Sequence, residues 1–423
     1  MPAFPDFRGL AALMFAGPML TALMLAAAPT AARAADFEVV YKSCPEDNYY
    51  ADYDKLVKLA APPTNCKGSA DKLANGRMVL RLNGAIAPGD AGRLQALLDS
   101  QIRLVTSYGY DGSGTFVTVE MAGDAGSTAG AAELGRFFAD QFIQTRIVRG
   151  TTCAGPCALA FMGGRALWTR LTRLTLDRRL EAGGELIFRS PLYPAENADP
   201  QAIRDLAGIV PTYAARYDIA PLLLARIMSL KEGESLPIDT VFWAKVANLT
   251  VDGVAPVTNP SDDDYISACL SQVDWSYGLD GDYDEPPQMK SNGDWEEGAI
   301  VYRGDAYVLV AAVWSTEGYD YWCALNKSRT AEVKIPRQKV RSVLSKWRGR
   351  NSLLHGDTDD DIDLKGNEIY FSRAPNGFRP TRAQNSLDLL LRDPQTKLAA
   401  TADPNFKWNP WGKWDPWFEL DGP

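Results

Sequence analysis

The residues best placed for chemistry lie in two short runs, Thr151-Thr-Cys-Ala-Gly-Pro-Cys157 and Glu185-Leu-Ile-Phe-Arg-Ser-Pro191. Cys153 or Cys157 would be a nucleophile only as its thiolate, which needs a neighbouring base or a positive field. Arg189 supplies a field, but a guanidinium accepts no proton at any useful pH. The chain's single histidine, His355, lies far downstream. The other reading of both cysteines is structural, as a disulfide or as buried thiols. Arg189 also has two readings: it holds an anionic ligand through paired hydrogen bonds, or it pairs with a nearby carboxylate such as Glu185.

Metal chemistry has one weak foothold. Asp357, Asp359, Asp361 and Glu368 fall at the first, third, fifth and twelfth positions of a calcium loop. The glycine such a loop needs at its sixth position is Ile362, and no helical pattern flanks the stretch, so a solvated acidic loop is the competing reading. The cysteines are not clustered as zinc ligands would be. No cofactor and no firm metal site are expected.

The elements that must hold these residues read as an α/β arrangement. Met78 to Leu82 alternates like a strand, Asn83-Gly84 makes a turn, and Gly89 to Leu104 carries apolar residues at helical spacing. Thr115 to Met121 is a strand with Val117, Val119 and Met121 on one face, and Ala129 to Phe142 is helical. Thr145 to Val148 is a short strand. Pro156 to Met162 begins an apolar helix, with proline where its missing N–H costs nothing. Arg165 to Arg189 is strand-rich, and helical stretches follow at Pro200 to Tyr217 and Pro221 to Leu230. Strands with helices between them predict a largely buried sheet.

Beyond Pro256 the character changes. Pro256 to Glu297 is acidic and rich in Pro and Gly, and reads as a linker or the start of a second unit. Gly298 to Leu325 alternates as two or more strands, and Pro336 to Trp347 reads as a basic amphipathic helix. Trp408, Trp411, Trp414 and Trp417 recur at every third position among Pro and Asp. That composition cannot build a core alone, and a poorly ordered tail is expected.

A length of 423 residues implies two units. A net charge of −9 with no basic run excludes a nucleic-acid binder. Residues 1–34 read as a cleaved secretory signal: Arg8, an apolar Gly9 to Ala28, then Ala32-Arg-Ala34. An uncleaved anchor is the alternative, and no other stretch is long and apolar enough to span a bilayer. Export to an oxidising compartment favours disulfides among Cys44, Cys66, Cys153, Cys157, Cys269 and Cys323. Many pairings are open; pairing sequence neighbours is the simplest, and Cys269–Cys323 would staple a small β-rich core.

The run from Arg77 to Val254 resembles the Clp-protease/crotonase superfamily, and more narrowly a group of periplasmic serine proteases of that fold. Three stretches carry the resemblance. Ala125-Gly-Ser-Thr-Ala-Gly-Ala-Ala-Glu-Leu-Gly-Arg136 is similar to the family's Gly-Gly-Ser turn and following helix. Cys153-Ala-Gly-Pro-Cys157, with Ala158 to Gly164 after it, is similar to a Cys-Ala-Ser-Ala-Cys motif. Glu185 to Pro191 is similar to a strand ending in Phe-His-x-Pro.

The resemblance implies a Clp/crotonase-like ββα superhelix domain, followed here by a small β-rich domain. It implies that Gly155 occupies the nucleophile's position, Arg189 the base's, and Ala125 and Gly126 the oxyanion turn, with Ala122-Gly123-Asp124 ahead of it in place of Asn-Ser-Pro. A serine hydrolase needs a hydroxyl and an imidazole, and these positions offer neither. Lys231 and Lys245 are not placed for a Ser-Lys pair, and Asp239 reads as a helix N-cap. The expectation is a periplasmic or secreted pseudoenzyme that binds or scaffolds an unidentified protein or peptide, with no stable membrane span after signal cleavage. Relatives of this fold form rings or trimers, which implies a homo-oligomer. The rival is a periplasmic serine-type hydrolase using an unrecognised constellation, with Ser127 or Ser190 as nucleophile. The expected organisation is 1–34 signal, 35–76 lead-in, 77–255 Clp/crotonase-like domain, 256–400 acidic linker and β-rich domain, and 401–423 tail.

Overall fold

The computed structural model describes residues 35–43, 76–101, 115–168, 173–190, 219–277, 295–314, 319–327, 333–344, 362–364, 368–371 and 386–408. The signal segment, Cys44, Cys66, His355, the 200–217 stretch, and Trp411, Trp414 and Trp417 lie outside them.

The first unit contains β1 (Asp36–Ser43), β2 (Gly76–Asn83), α1 (Asp90–Gln101), β3 (Thr115–Met121), α2 (Thr128–Asp140), β4 (Gln144–Ile147), β5 (Thr152–Ala154) and α3 (Pro156–Phe161). It continues with β6 (Arg165–Trp168), β7 (Arg173–Leu176), β8 (Arg178–Glu181), β9 (Glu185–Arg189), α4 (Pro221–Ser229), β10 (Ser235–Pro237), α5 (Val241–Val246) and β11 (Thr250–Asp252). Six strands form one sheet in the order β1-β2-β3-β4-β8-β11, and three form a second in the order β10-β9-β5. In the large sheet only β1 is antiparallel to its neighbour; β2, β3, β4, β8 and β11 run parallel. The chain is therefore a mixed α/β protein, as the alternation of elements predicts.

Period-two burial builds the core. Met78, Leu80 and Leu82 of β2 and Val117, Val119 and Met121 of β3 are buried together with Leu94, Leu98, Leu134 and Phe138 from α1 and α2. The intervening residues of each strand face the other side of the sheet. Helices α2 and α3 approach so closely that a Cβ on Gly163 would run into the backbone of Gly135.

The second unit begins with a helix inside the acidic stretch that the sequence leaves open as a linker or the start of a second unit. α6 (Asp262–Tyr277) starts in the acidic run itself. Ser261 Oγ accepts from the Asp264 N–H at 3.2 Å, and Asp264 Oδ2 accepts from the Ser261 N–H at 2.8 Å. That reciprocal cap satisfies two orphan donors, and acidic residues in the first turn suit the helix dipole. The aspartates are thus a helix start.

α6 packs on an antiparallel sheet ordered β12-β13-β14-β17, from β12 (Trp295–Arg303), β13 (Tyr307–Trp314), β14 (Tyr319–Asn326) and β17 (Glu368–Phe371). Between them in sequence come β15 (Val333–Ile335), α7 (Arg337–Leu344) and β16 (Ile362–Leu364). β13 is buried on both faces. Val308 and Val310 join the large core, while Tyr307, Leu309 and Ala311 join a smaller one with Trp322, Ile335 and Val340. The large core thus crosses the expected boundary at residue 255.

The chain then returns to the first unit through α8 (Leu387–Leu390) and a 3-10 turn (Leu398–Thr401). The N–H groups of Val241 and Phe242 donate to Thr396 O and Pro394 O at 3.1 and 2.9 Å. Further on, the Asp403 N–H donates to Gly253 O at 2.8 Å. Residues 401–408, expected as the start of a separate tail, take part in this packing. Leu389, Leu390 and Leu398 drive it by entering the main core.

Candidate functional site

Strand β5 ends at Ala154, Gly155 turns the chain at φ 55°, ψ −116°, and α3 begins at Pro156. A strand that breaks this sharply into a helix projects its turn residue outward, the geometry of a nucleophile elbow. Glycine adopts the positive φ at no steric cost. The Gly155 N–H donates to Ile187 O at 2.9 Å, and its carbonyl accepts from the Leu159 N–H at 3.1 Å.

The Cys153–Cys157 disulfide spans the turn, with Cα atoms 5.2 Å apart. Both residues are buried. Their sulfurs are committed to each other, so neither is a thiolate nucleophile. Cys269 and Cys323 form a second bridge. Cys269 sits on α6 and Cys323 on β14, so the bridge ties helix to sheet.

Arg189 closes the other side of the elbow. A Cβ built on Gly155 would stand 3.6 Å from Arg189 Cδ, so the two positions singled out in the sequence meet in space. Arg189 Nη1 donates to Asp124 O at 3.3 Å. The pairing of Arg189 with Glu185 is not formed. Four residues of strand separate their Cα atoms by about 13 Å, and Glu185 instead accepts from Thr152 Oγ1 at 2.6 Å.

The turn at Ala125 and Gly126 faces the same elbow and is stitched to the loop after β2. The Ile86 N–H donates to Ala125 O at 3.1 Å, and the Ser127 N–H to Ile86 O at 2.8 Å. Gly126 sits at φ 131°, and a Cβ there would run into the Ile86 backbone, with its Cα at 2.9 Å. Ser127 Oγ accepts from the Gly130 N–H at 2.9 Å and caps α2. On the far side of the elbow, Pro156 has no N–H to offer.

The remaining candidates are scattered. Asp239 accepts from Lys397 Nζ at 2.5 Å, and the N-cap of α5 is its neighbour Thr240. The Lys231 N–H donates to Glu234 Oε2 at 3.0 Å in an exposed turn. Asp357, Asp359 and Asp361 lie outside the described residues, while Ile362 opens β16 and Glu368 opens β17. Among the described residues, no three His, Cys, Asp or Glu side chains are grouped as a metal ion requires. None of the described helices is long and apolar enough to cross a membrane.

A second polar array, not singled out from the sequence, crosses the large sheet on the face away from Leu80 and Val119. Glu38, Arg81, Glu120 and Arg146 are direct cross-strand neighbours on β1, β2, β3 and β4. Arg81 Nη2 lies 2.9 Å from Glu120 Oε2, and Arg146 lies 2.8 Å from Glu120 Oε1 and 2.5 Å from Glu181 Oε2. Arg179 reaches Asp177 at 2.8 Å and Asp252 at 3.4 Å. Burial pushes the Arg146 pKa down, and the carboxylates of Asp252, Glu181 and Glu120 oppose that shift. The indole of Trp408 lies over the Arg146 guanidinium, 4.1 Å from Cζ to ring centroid. The available signal was a charge near the C-terminal end of each strand, Arg81, Glu120 and Arg146, alternating in sign from β2 to β3 to β4.

The described chain is thus a mixed α/β protein in which a disulfide spans the strand-to-helix turn at Gly155. No protein-family model matches it, and no curated protein matches it. Among solved structures, it is similar to a Ser-to-Ala mutant of the membrane-bound stomatin-specific protease 1510-N. That match has 11% sequence identity, covers 39% of this chain and 73% of the other, and has a TM-score of 0.25. At that score the likeness carries no argument.

Proposed function

We propose that the protein is an exported, non-catalytic member of the Clp/crotonase-like fold that uses its elbow face to bind a peptide or protein segment. The observation that carries this reading is the juxtaposition of Gly155 and Arg189 across the elbow. An elbow costs strain and is useful where something must be presented to a ligand. Here the turn residue has no side chain, the facing residue is a permanent cation, and Pro156 removes an N–H where an oxyanion donor is wanted. The two disulfides support an oxidising, extracytoplasmic location. The periplasm and a homo-oligomeric assembly are part of the same proposal.

The mature protein should remain unlabelled by a fluorophosphonate probe and should turn over no peptide in a broad substrate screen. A tryptic peptide mixture should be retained by the immobilised protein and released by Arg189→Glu. Reproducible fluorophosphonate labelling at Ser127 or Ser190 would overturn the reading in favour of a serine-type hydrolase.

A further inference from the structure

Arg189 is a cation without a counter-ion on an open surface. It is exposed at the end of β9, and its one bond, from Nη1 to Asp124 O at 3.3 Å, is long for a hydrogen bond. Among the described residues it pairs with no carboxylate. Glu185, on the same face of β9, is taken by Thr152, and the exposed Asp124 makes no ion pair either. Most of the guanidinium's donor fork is therefore uncommitted to the protein.

A second donor borders the same space. Ala125 O accepts from the Ile86 N–H, and across a planar trans peptide the Gly126 N–H points the opposite way. It is turned from Ile86 towards the side on which Gly123 is bonded to β5. β5 offers it no acceptor, because the chain leaves the sheet at Gly155. Among the described residues this N–H donates to nothing, and the turn that carries it is exposed. The two donors are near each other, since the oxygen that Arg189 reaches belongs to the peptide unit just before the one that holds this N–H. Beside them Gly155 leaves room: a Cβ there would meet nothing nearer than Arg189 Cδ at 3.6 Å.

We propose that these donors hold a carboxylate of the bound peptide, one oxygen on the Arg189 guanidinium and the other on the Gly126 N–H. The proposal rests on the reading of the elbow as a ligand-binding face and names what that face recognises. A guanidinium and a backbone N–H are donors that suit a planar, two-oxygen anion. A serine hydrolase aims such an N–H at charge that develops during reaction; a permanent cation beside it suits charge that the ligand already carries. Asp124 narrows the choice of anion. Its carboxylate repels any anion bound beside it, and a dianion such as phosphate about twice as strongly as a carboxylate. The carboxylate is supplied by a peptide's C-terminus or by an Asp or Glu side chain.

The test uses the immobilised mature protein and three synthetic heptapeptide libraries, randomised over residues other than Asp and Glu. One has free C-termini, one is amidated, and one is amidated with a single central Glu; retention is quantified by mass spectrometry. The free-acid library should be retained about tenfold or more over the plain amide, as charge-assisted hydrogen bonds imply. Arg189→Gln should bring the two level. Arg189→Lys should keep part of the preference, because an ammonium supplies the charge without the fork. The chain's net charge of −9 opposes this order, so general electrostatic attraction does not produce it. Arg93→Gln, which removes an exposed cation from α1, should change nothing. Retention of the Glu-containing amide equal to the free acid would support the site and assign the carboxylate to a side chain. A free-acid preference that survives Arg189→Gln would overturn the site. Equal retention of all three libraries would also overturn it, while leaving the peptide-binding reading standing. Retention of none would overturn both.

Discussion

Arg189 lies across the elbow from Gly155, its Cδ 3.6 Å from the point where a side chain on that glycine would begin. There is room for a hydroxyl at position 155, but what it would face is a cation without a basic lone pair. Gly155→Ser should therefore give no hydrolysis and no fluorophosphonate adduct, and Arg189→His alone should give none either. The double variant should reach a trace at most, because Pro156 still withholds an N–H and one missing oxyanion donor costs about 10²–10³ in rate. Robust activity in Gly155→Ser would reveal a base outside this pair.

The same glycine sets a stability prediction. At φ 55°, ψ −116°, any Cβ occupies a sparsely populated backbone region, which costs about 1–3 kcal/mol. Gly155→Ala and Gly155→Ser should lose stability by similar amounts in urea unfolding. Gly126→Ala should be worse, since strain at φ 131° adds to a collision with the Ile86 backbone. A Gly126→Ala protein as stable as Gly155→Ala would contradict the close approach of that turn to Ile86.

The bridges should differ in weight. Replacing Cys269 and Cys323 with alanine opens a link across a sequence separation of 54 residues, and should cost about 2–4 kcal/mol. Opening Cys153–Cys157, with a separation of 4 residues, should cost less, because a short loop loses little entropy in the unfolded chain. Peptide mapping without reduction should recover both pairs, and thermal melts of the two double-alanine variants should rank them in this order.

The sequence was most readable where one periodicity dominated. Thr115 to Met121 declared its inward face through Val117, Val119 and Met121, and the elbow was bracketed by Cys153 and Cys157. It was least readable where a local signal had two meanings. The aspartates after Ser261 read as a linker because composition hides a capping box until the helix behind it is known. The helical spacing of the buried Tyr265, Ala268 and Cys269 is masked by the Pro, Gly and acidic residues around them, and it shows only once α6 is in place. Arg189 and Glu185 were paired on proximity in sequence, which the extended rise of a strand forbids. The charged row depended on register between strands separated by helices, and no single segment carries that information.

Alkaline titration should expose the small core of the second unit. Burial, reinforced by the neighbouring Tyr302, pushes the Tyr307 hydroxyl up to about 12. An acid whose folded pKa is raised favours folding while it stays protonated. That contribution is whole below the unfolded value near 10 and is lost as pH rises through 10 to about 12. Stability measured by urea unfolding should fall across that window, and Tyr307→Phe should flatten the fall. An unchanged slope in the phenylalanine variant would assign the alkaline loss to other groups.

Arg146 supplies the sharpest contrast with its own neighbour. It is 4% exposed between Glu120 and Glu181 and lies under Trp408, whereas Arg81 one strand beyond Glu120 is 42% exposed. Removing a buried cation strands the carboxylates that it neutralised, at about 3–5 kcal/mol. Removing an exposed one costs about 0–1 kcal/mol. Arg146→Met should fall at the lower end of its range, because Arg81 still reaches Glu120 and Arg149 Nε lies 3.6 Å from Glu181. Arg81→Met should shift the urea midpoint little. Combining Arg146→Met with Glu120→Gln and Glu181→Gln should recover part of the loss, since the two carboxylates that Arg146 neutralised then carry no charge. If the triple variant is no more stable than Arg146→Met alone, the cost lies in lost packing beneath Trp408 and not in unpaired charge.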